Sequence, residues 1–164
     1  MSRTVDDPSE RVLLLAPTSR DAAAAEAVLR GERLACIVCR DVESLCSEAR
    51  RGAAVVVVAE EAVLADQVGR IAALLADQPP WSDMPLLILT PAGPESPRAL
   101  AALHSVGEAT LIKRPLQRST FISVVGSALR DRSRQYRMRD LLLESELQAE
   151  RLKGARPVKF AMVT

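Results

Sequence analysis

Residues 52–61 read GAAVVVVAEE, and this stretch decides the fold. Four consecutive valines follow a glycine and two alanines, and the apolar run stops at Glu60 and Glu61. A short, continuous run of β-branched residues is typical of a central strand covered on both faces. Residues 53–58 are therefore predicted to form a buried strand of a parallel sheet.

Four more apolar runs lie around this strand, and each is followed by a helical pattern. Strands are predicted at residues 11–15, 34–39, 53–58, 85–89 and 109–113. Helices are predicted at residues 21–30, 42–51, 62–77 and 98–106, and a last helix runs from 119 to about 153. Strict alternation favours a doubly wound α/β fold, a five-stranded parallel sheet with helices on both faces. The functional crevice of such a sheet lies at the carboxyl ends of its strands.

The composition excludes several classes of partner. The chain has 22 Lys plus Arg against 21 Asp plus Glu, and aromatic residues make up only 2% of its 164 positions. Neither a basic excess nor a set of aromatic stacking platforms is present, so we expect no nucleic-acid partner.

The longest apolar run is far shorter than the roughly 20 residues of a membrane helix. With no apolar leader segment and few cysteines, the protein is expected to be cytoplasmic and not to associate with membranes.

Two segments carry a family resemblance. Residues 107–115, GEATLIKRP, resemble the Gly-Ala-Asp-Asp-Tyr-Leu-x-Lys-Pro motif around strand five of response-regulator receiver domains, and PLLILT at residues 85–90 is similar to the strand that presents that family's phosphate-contacting hydroxyl. The resemblance covers residues 11 to about 130. It implies the flavodoxin-like strand order 2-1-3-4-5 and a place in two-component, phosphorelay-type signalling.

The residues that carry out phosphorylation in this family are absent here. An active receiver uses two acids after strand one to hold Mg²⁺ and an Asp ending strand three as nucleophile, because Mg²⁺ needs oxygen ligands and the carboxylate becomes the acyl phosphate. A Lys ending strand five pairs with the phosphoryl group. The corresponding positions hold Ala16 and Pro17 for the acid pair, Ala59 for the nucleophile, Arg114 for the lysine, Leu111 for the switch aromatic, and Thr90 for the retained hydroxyl. The resemblance is thus to a pseudo-receiver: a non-enzymatic module with no metal and no cofactor.

Two acids just past the nucleophile position leave an alternative open. Glu60 or Glu61 would be a phosphoacceptor if a shift of register brought its carboxylate to the pocket. The competing interpretation is that both acids begin the next helix, where carboxylates favour the N-terminal dipole. Arg114 would then either pair with one of them and fix the loops, or lie in solvent.

The last predicted helix is longer than a receiver domain requires. At the standard rise it would extend about 50 Å, and only its first part has the spacing that packs on a sheet. We therefore divide the chain into a flexible N-terminus at residues 1–10, a receiver-like domain at 11–130, a helical extension and possible coiled coil at 131–153, and a tail at 154–164 that begins where Gly154 ends the helix. The expected partners are a second copy of the chain, a histidine kinase or another signalling protein, and the chain would be a partner to such a kinase or its N-terminal part. Arginines followed by glutamates along the extension suit antiparallel pairing, or pairing with a helix of another protein. The predicted interaction surface comprises Leu111, Arg132, Tyr136, Arg139 and Leu143, beside the helix at 98–106.

Three other features of the sequence each allow two interpretations. Cys36 and Cys39 form a Cys-x-x-Cys that would make a thiol redox switch if the sulfurs met, but in a strand residues three apart face opposite sides. The basic segment at residues 130–139 would contact nucleic acid or membrane only if its arginines shared one face. Trp81 either anchors a partner or covers the apolar end of the helix predicted at residues 62–77.

Overall fold

The computed structural model describes residues 7–160. The five strands form one parallel sheet in the order 2-1-3-4-5, which confirms the predicted topology. The predicted flexible N-terminus lies mostly outside the described residues, although Pro8–Glu10 forms a single 3-10 turn capped by Asp7. The strands are β1 Val12–Leu15, β2 Cys36–Val38, β3 Val55–Ala59, β4 Leu86–Thr90 and β5 Thr110–Lys113.

The central valine run packs into two cores, one on each face of the sheet. Val56 and Val58 join one apolar cluster, whereas Val55 and Val57 join the other, because successive side chains of a strand alternate between faces. All five residues of β3 are buried. This double coverage explains why the run is continuously apolar rather than alternating.

Within residues 7–160, six α-helices flank the sheet where five were predicted. The prediction of a single helix at residues 62–77 is wrong, because two helices separated by residues 66–69 occupy this segment. Gly69 adopts a left-handed conformation with φ of 72°, and the Asp66 carboxylate accepts backbone hydrogen bonds from Arg70 and Ile71 at 3.0 and 2.9 Å. The Asp66 carboxylate thus satisfies the first two backbone N–H groups of a new helix, whose N-cap residue is Gly69. The helices are α1 Ser19–Gly31, α2 Val42–Arg51, α3 Glu60–Ala65, α4 Arg70–Ala76, α5 Pro97–Val106 and α6 Arg118–Phe160.

The last helix, α6, has 43 residues. Its first turns bury Phe121, Val125 and Ala128 against the sheet, and its later turns extend beyond the domain with exposed side chains. The predicted end at Gly154 is wrong, since the helix continues to Phe160; a glycine lowers helix stability by about 1 kcal/mol but does not remove a backbone hydrogen bond. Within residues 7–160, no helix is long and apolar enough to cross a membrane.

Candidate functional site

The carboxyl ends of β1, β3, β4 and β5 bring the predicted pocket residues to one edge of the sheet. Ala59 ends β3 and is 1% exposed, and Thr90 ends β4 and is fully buried. Ala16 and Pro17 follow β1, and Arg114 follows β5. The side chains at the acid-pair and nucleophile positions therefore offer no carboxylate. Among residues 7–160, no three His, Cys, Asp or Glu side chains cluster in a way that would hold a metal ion.

Glu60 occupies the interior of this edge. Its side chain is 1% exposed, and its Oε2 lies 3.7 Å from Nε of Arg98 on α5, while Oε1 has no hydrogen-bond partner among the described residues. The register pairs Ala59 with Leu89, so Glu60, the first residue after β3, and Thr90, the last residue of β4, follow this pair on neighbouring chain segments. The Thr90 hydroxyl also lacks a partner there. Two buried polar groups thus lie at adjacent strand ends, and the Glu60 carboxylate is closed off from solvent.

Glu61 forms the ion pair that the sequence left open. Its Oε1 accepts a hydrogen bond from Nη2 of Arg114, and the Arg114 side chain is only 17% exposed. The backbone N–H of Arg114 donates to the Thr90 carbonyl at 2.8 Å, which fixes the start of the loop. Glu60 and Glu61 also lie in the first turn of α3, as the helix-start interpretation expected. The cation that follows β5 is therefore held by a carboxylate that follows β3.

A cleft of about 660 Å³ is lined in part by Glu61. The loop between α3 and α4 forms one wall, and the start of α2 forms another. Its acids already have structural roles: Asp66 accepts the first two backbone N–H groups of α4, and Asp41 accepts the backbone N–H of Ser44 at 2.7 Å. This hydrogen bond lowers the pKa of Asp41. Arg70 lies 3.7 Å from Glu43. The cleft therefore offers shape and mixed charge rather than free ligands for a metal.

The cysteines are placed as packing residues. Cys36 contacts one core cluster and Cys39 belongs to the other, across the sheet. Burial raises the pKa of Cys36 to about 12 and that of Cys39 to about 11, so both thiols are protonated at neutral pH. A protonated thiol is a poor nucleophile. The geometry gives no support to a redox pair.

Arg132 makes the most extensive polar contacts of the described chain, and the sequence did not predict them. Its guanidinium donates to the Ala53 carbonyl at 2.9 Å, to Ser82 at 2.7 Å, to Gln135 at 2.6 Å and to the Tyr136 hydroxyl at 3.2 Å. It also lies 4.5 Å from the Tyr136 ring centre and 5.6 Å from that of Trp81. We call this group the Arg132 clasp, comprising Ala53, Trp81, Ser82, Arg132, Gln135 and Tyr136.

The clasp joins α6 to the start of the sheet. Gln135 adds two hydrogen bonds to the backbone of Asp83, each of 2.7 Å, and the Trp81 and Tyr136 rings pack at 5.4 Å. Arg132 is 4% exposed and makes no salt bridge with a described residue. Burial disfavours the charged guanidinium and therefore lowers the pKa of Arg132. Trp81 is therefore part of the helix attachment.

The predicted interaction surface is placed only in part as expected. Arg132 is buried and Tyr136 half-buried, because both face the domain at the spacing set by Phe121 and Val125. Arg139 also folds back, with its guanidinium 4.9 Å from the Tyr136 ring. Leu143 is exposed beyond the domain, and Leu111 is half-buried on β5.

Comparison with known proteins identifies the fold to which this structure is similar. A scan of protein-family models finds no match, and no curated protein matches in sequence. Solved structures do match: NtrX from Brucella abortus, crystallised with ADP, aligns with a TM-score of 0.63 at 16% identity over 81% of this chain, which spans 29% of that protein. The signal receiver domain of a Luxo repressor protein from Vibrio parahaemolyticus aligns at 0.62 with 14% identity, over 82% of this chain and 97% of that one. A structure described as a yeast Spc42 trimeric coiled-coil fusion aligns at 0.62 with 15% identity, over 87% and 96%. The protein therefore has the fold of a response-regulator receiver domain, extended by a long helix.

Proposed function

We propose that this protein is a pseudo-receiver, a non-enzymatic module of two-component signalling that acts through protein contacts without aspartyl phosphorylation. The observation that carries the proposal is the Glu61–Arg114 pair. In an active receiver the cation after strand five pairs with the phosphoryl group. Here the equivalent cation already pairs with a carboxylate of the chain itself, and Ala59 stands at the acceptor position.

The pair gives the module one fixed state. Arg114 begins the loop after β5 and Glu61 lies in the first turn of α3, so their contact ties together the two segments that a phosphoryl group would otherwise connect. Arg98 and the buried Glu60 add a second link, between α5 and α3. A module held in this way presents α5, β5 and the start of α6 in a constant arrangement to its partner. That partner is a histidine kinase, another signalling protein or a second copy.

The rival function, phosphorylation on Glu60 or Glu61, is disfavoured by access and by ligands. A phosphodonor cannot reach the Glu60 carboxylate, which is 1% exposed. Glu61 is reachable, but Arg114 occupies it, and Ala16 and Pro17 supply no carboxylate for Mg²⁺ beside it.

Acetyl phosphate with Mg²⁺ separates the two functions. The full chain is incubated with this small phosphodonor and its intact mass is measured. We expect no gain of a phosphoryl group, whereas a stoichiometric, Mg²⁺-dependent gain would overturn the proposal. Glu60→Gln and Glu61→Gln variants, treated in parallel, would then identify the acceptor by loss of the adduct.

The long helix is the proposed output element. The Arg132 clasp attaches it rigidly to the domain, and the exposed leucines beyond the clasp are available for pairing with another helix. The likeness to a coiled-coil fusion structure supports an assembly role for this segment.

A further inference from the structure

The side of α6 that faces away from the sheet carries serines and arginines. Residues 119, 123, 127, 130, 134 and 137 recur at intervals of four and three, which places them on one side of a helix. All six are exposed. Phe121, Val125 and Arg132, which pack on the domain, lie on the opposite side. We call this surface the Ser/Arg face: Ser119, Ser123, Ser127, Arg130, Arg134 and Arg137.

The five arginines at residues 130–139 divide between the two sides of the helix. Arg132 is buried in the clasp and the Arg139 guanidinium lies on the Tyr136 ring, so both face the domain. The other three arginines belong to the Ser/Arg face and point to solvent together. Contact with nucleic acid or membrane requires a shared face, and three of the five arginines meet this requirement.

The charge of this part of α6 differs from that of the whole chain. Residues 118–140 contain six arginines and two acids, although basic and acidic residues are nearly balanced overall. Asp131 lies beside the face with its Oδ1 3.5 Å from Nη1 of Arg134, and Asp140 pairs with the inward Arg139 at 2.9 Å. The Asp131 pair is exposed, and such a pair contributes little. The whole-chain balance, which predicts no nucleic-acid partner, therefore conceals a local excess of positive charge.

The composition of the Ser/Arg face favours phosphate groups over a protein or a lipid surface. The face has no large apolar or aromatic side chain between residues 119 and 137, whereas aromatic and apolar side chains are enriched at the centre of a protein interface. A helix that binds a membrane surface also needs an apolar face that enters the lipid. Arginine guanidiniums and serine hydroxyls, by contrast, are common donors to the phosphate oxygens of nucleic acids.

A duplex fits the face better than a single strand does. Single strands are bound through bases stacked on aromatic rings, and the face has none. Its three arginines span about 10 Å along the helix axis, a length over which duplex DNA presents roughly six phosphates. Nη1 of Arg130 lies 3.6 Å from the position that a Cβ would take at Gly126, so its charge extends toward the serines. The short side chains of these serines let a phosphate backbone approach the helix closely.

We propose that the Ser/Arg face binds the phosphate backbone of double-stranded DNA, with three arginines as the cationic contacts and the serines as hydrogen-bond donors. Contacts to phosphate carry no sequence information directly, so the binding is independent of sequence. The domain does not obstruct the duplex, because it packs on the opposite side of α6. This activity goes beyond the pseudo-receiver function and does not depend on it.

The test is the fluorescence anisotropy of a labelled DNA duplex, titrated with the full chain at several KCl concentrations. Three phosphate contacts predict a slope of about −2.7 for log K against log salt, and hence a roughly fortyfold loss of affinity between 50 and 200 mM KCl. Each of Arg130→Gln, Arg134→Gln and Arg137→Gln should reduce the slope by about 0.9. Arg20→Gln is the matched control, because it removes an exposed charge on α1, and should change the affinity by less than about twofold.

Four results would overturn the proposal. They are the absence of binding at 50 mM KCl with the chain at about 100 μM, an equal effect of Arg20→Gln and Arg134→Gln, a preference of about tenfold for one of two duplexes of unrelated sequence, and binding to phosphatidylglycerol vesicles without binding to the duplex. The exposed substitutions should leave the fluorescence of Trp81 unchanged, which separates a loss of binding from a loss of folding. The acetyl phosphate result is independent of all these outcomes, so failure of DNA binding and failure of the pseudo-receiver function are told apart.

Discussion

Replacing Arg132 by alanine should both destabilise the domain and release α6 from it. The guanidinium makes four hydrogen bonds and stacks on two aromatic rings, almost fully shielded from water. The loss of stability is limited because two of the acceptors keep other partners. Tyr136 still donates to the Ala53 carbonyl, and Ser82 still bonds to Gln78.

The expected cost is about 2–4 kcal/mol. Each hydrogen bond of the guanidinium contributes a net of roughly 1 kcal/mol to stability, and its contact with the aromatic rings contributes about 1 kcal/mol more. The variant no longer buries a charge, and this saving reduces the net loss of stability. Arg137→Ala is the matched control, because its side chain is exposed on the same helix, and should change stability by less than about 0.5 kcal/mol.

Urea unfolding followed by fluorescence measures both effects at once, because Trp81 is the sole tryptophan and belongs to the clasp. We expect Arg132→Ala to lower the unfolding midpoint and to shift the native emission of Trp81 to longer wavelength as its ring becomes more exposed. Equal midpoints for Arg132→Ala and Arg137→Ala, with unchanged native emission, would refute the role assigned to the clasp.

Three further changes test other parts of the structure. Arg114→Ala should lower the free energy of unfolding by no more than about 1 kcal/mol, since the pair with Glu61 is partly exposed, yet it should shift the Thr90 and Glu61 amide signals; unchanged signals would argue against the pair. Cys36 and Cys39 should react with a thiol reagent at neutral pH at less than about a tenth of the rate in the unfolded chain, because burial raises both pKa values; equal rates would contradict this. Gly69→Ala should cost about 1 kcal/mol in urea unfolding for its left-handed backbone, whereas Gly154→Ala in α6 should cost nothing; equal effects would remove the reason given for the break between α3 and α4.

The sheet could be predicted from the sequence because its signals are local. The valine run at residues 55–58 and the alternation of short apolar strands with helices depend on neighbouring residues only, and they define the parallel topology. The break between α3 and α4 was also encoded locally, in Asp66 and Gly69, but the apolar pattern on either side concealed it.

The site was only partly predictable because its decisive contacts join distant segments. Glu61 and Arg114 are 53 residues apart, and Arg132 and Ala53 are 79 apart. The absent acids at Ala16 and Ala59 could be recognised by comparison with a family motif, but the burial of Glu60 depends on how α3 meets α5. One signal for the clasp was available: Arg132 continues the spacing of Phe121, Val125 and Ala128, which placed a charged residue on the buried face.

In the function proposed above, the chain itself supplies the negative charge that a phosphoryl group supplies in an active receiver. Its most direct test is an amide NMR titration of the full chain with Mg²⁺ and then with beryllofluoride, which stands in for an acyl phosphate. We predict no saturable shifts at Ala59, Glu60, Glu61, Thr90 and Arg114. Saturable, Mg²⁺-dependent shifts at those residues would show that a carboxylate completes the pocket, and would contradict the account.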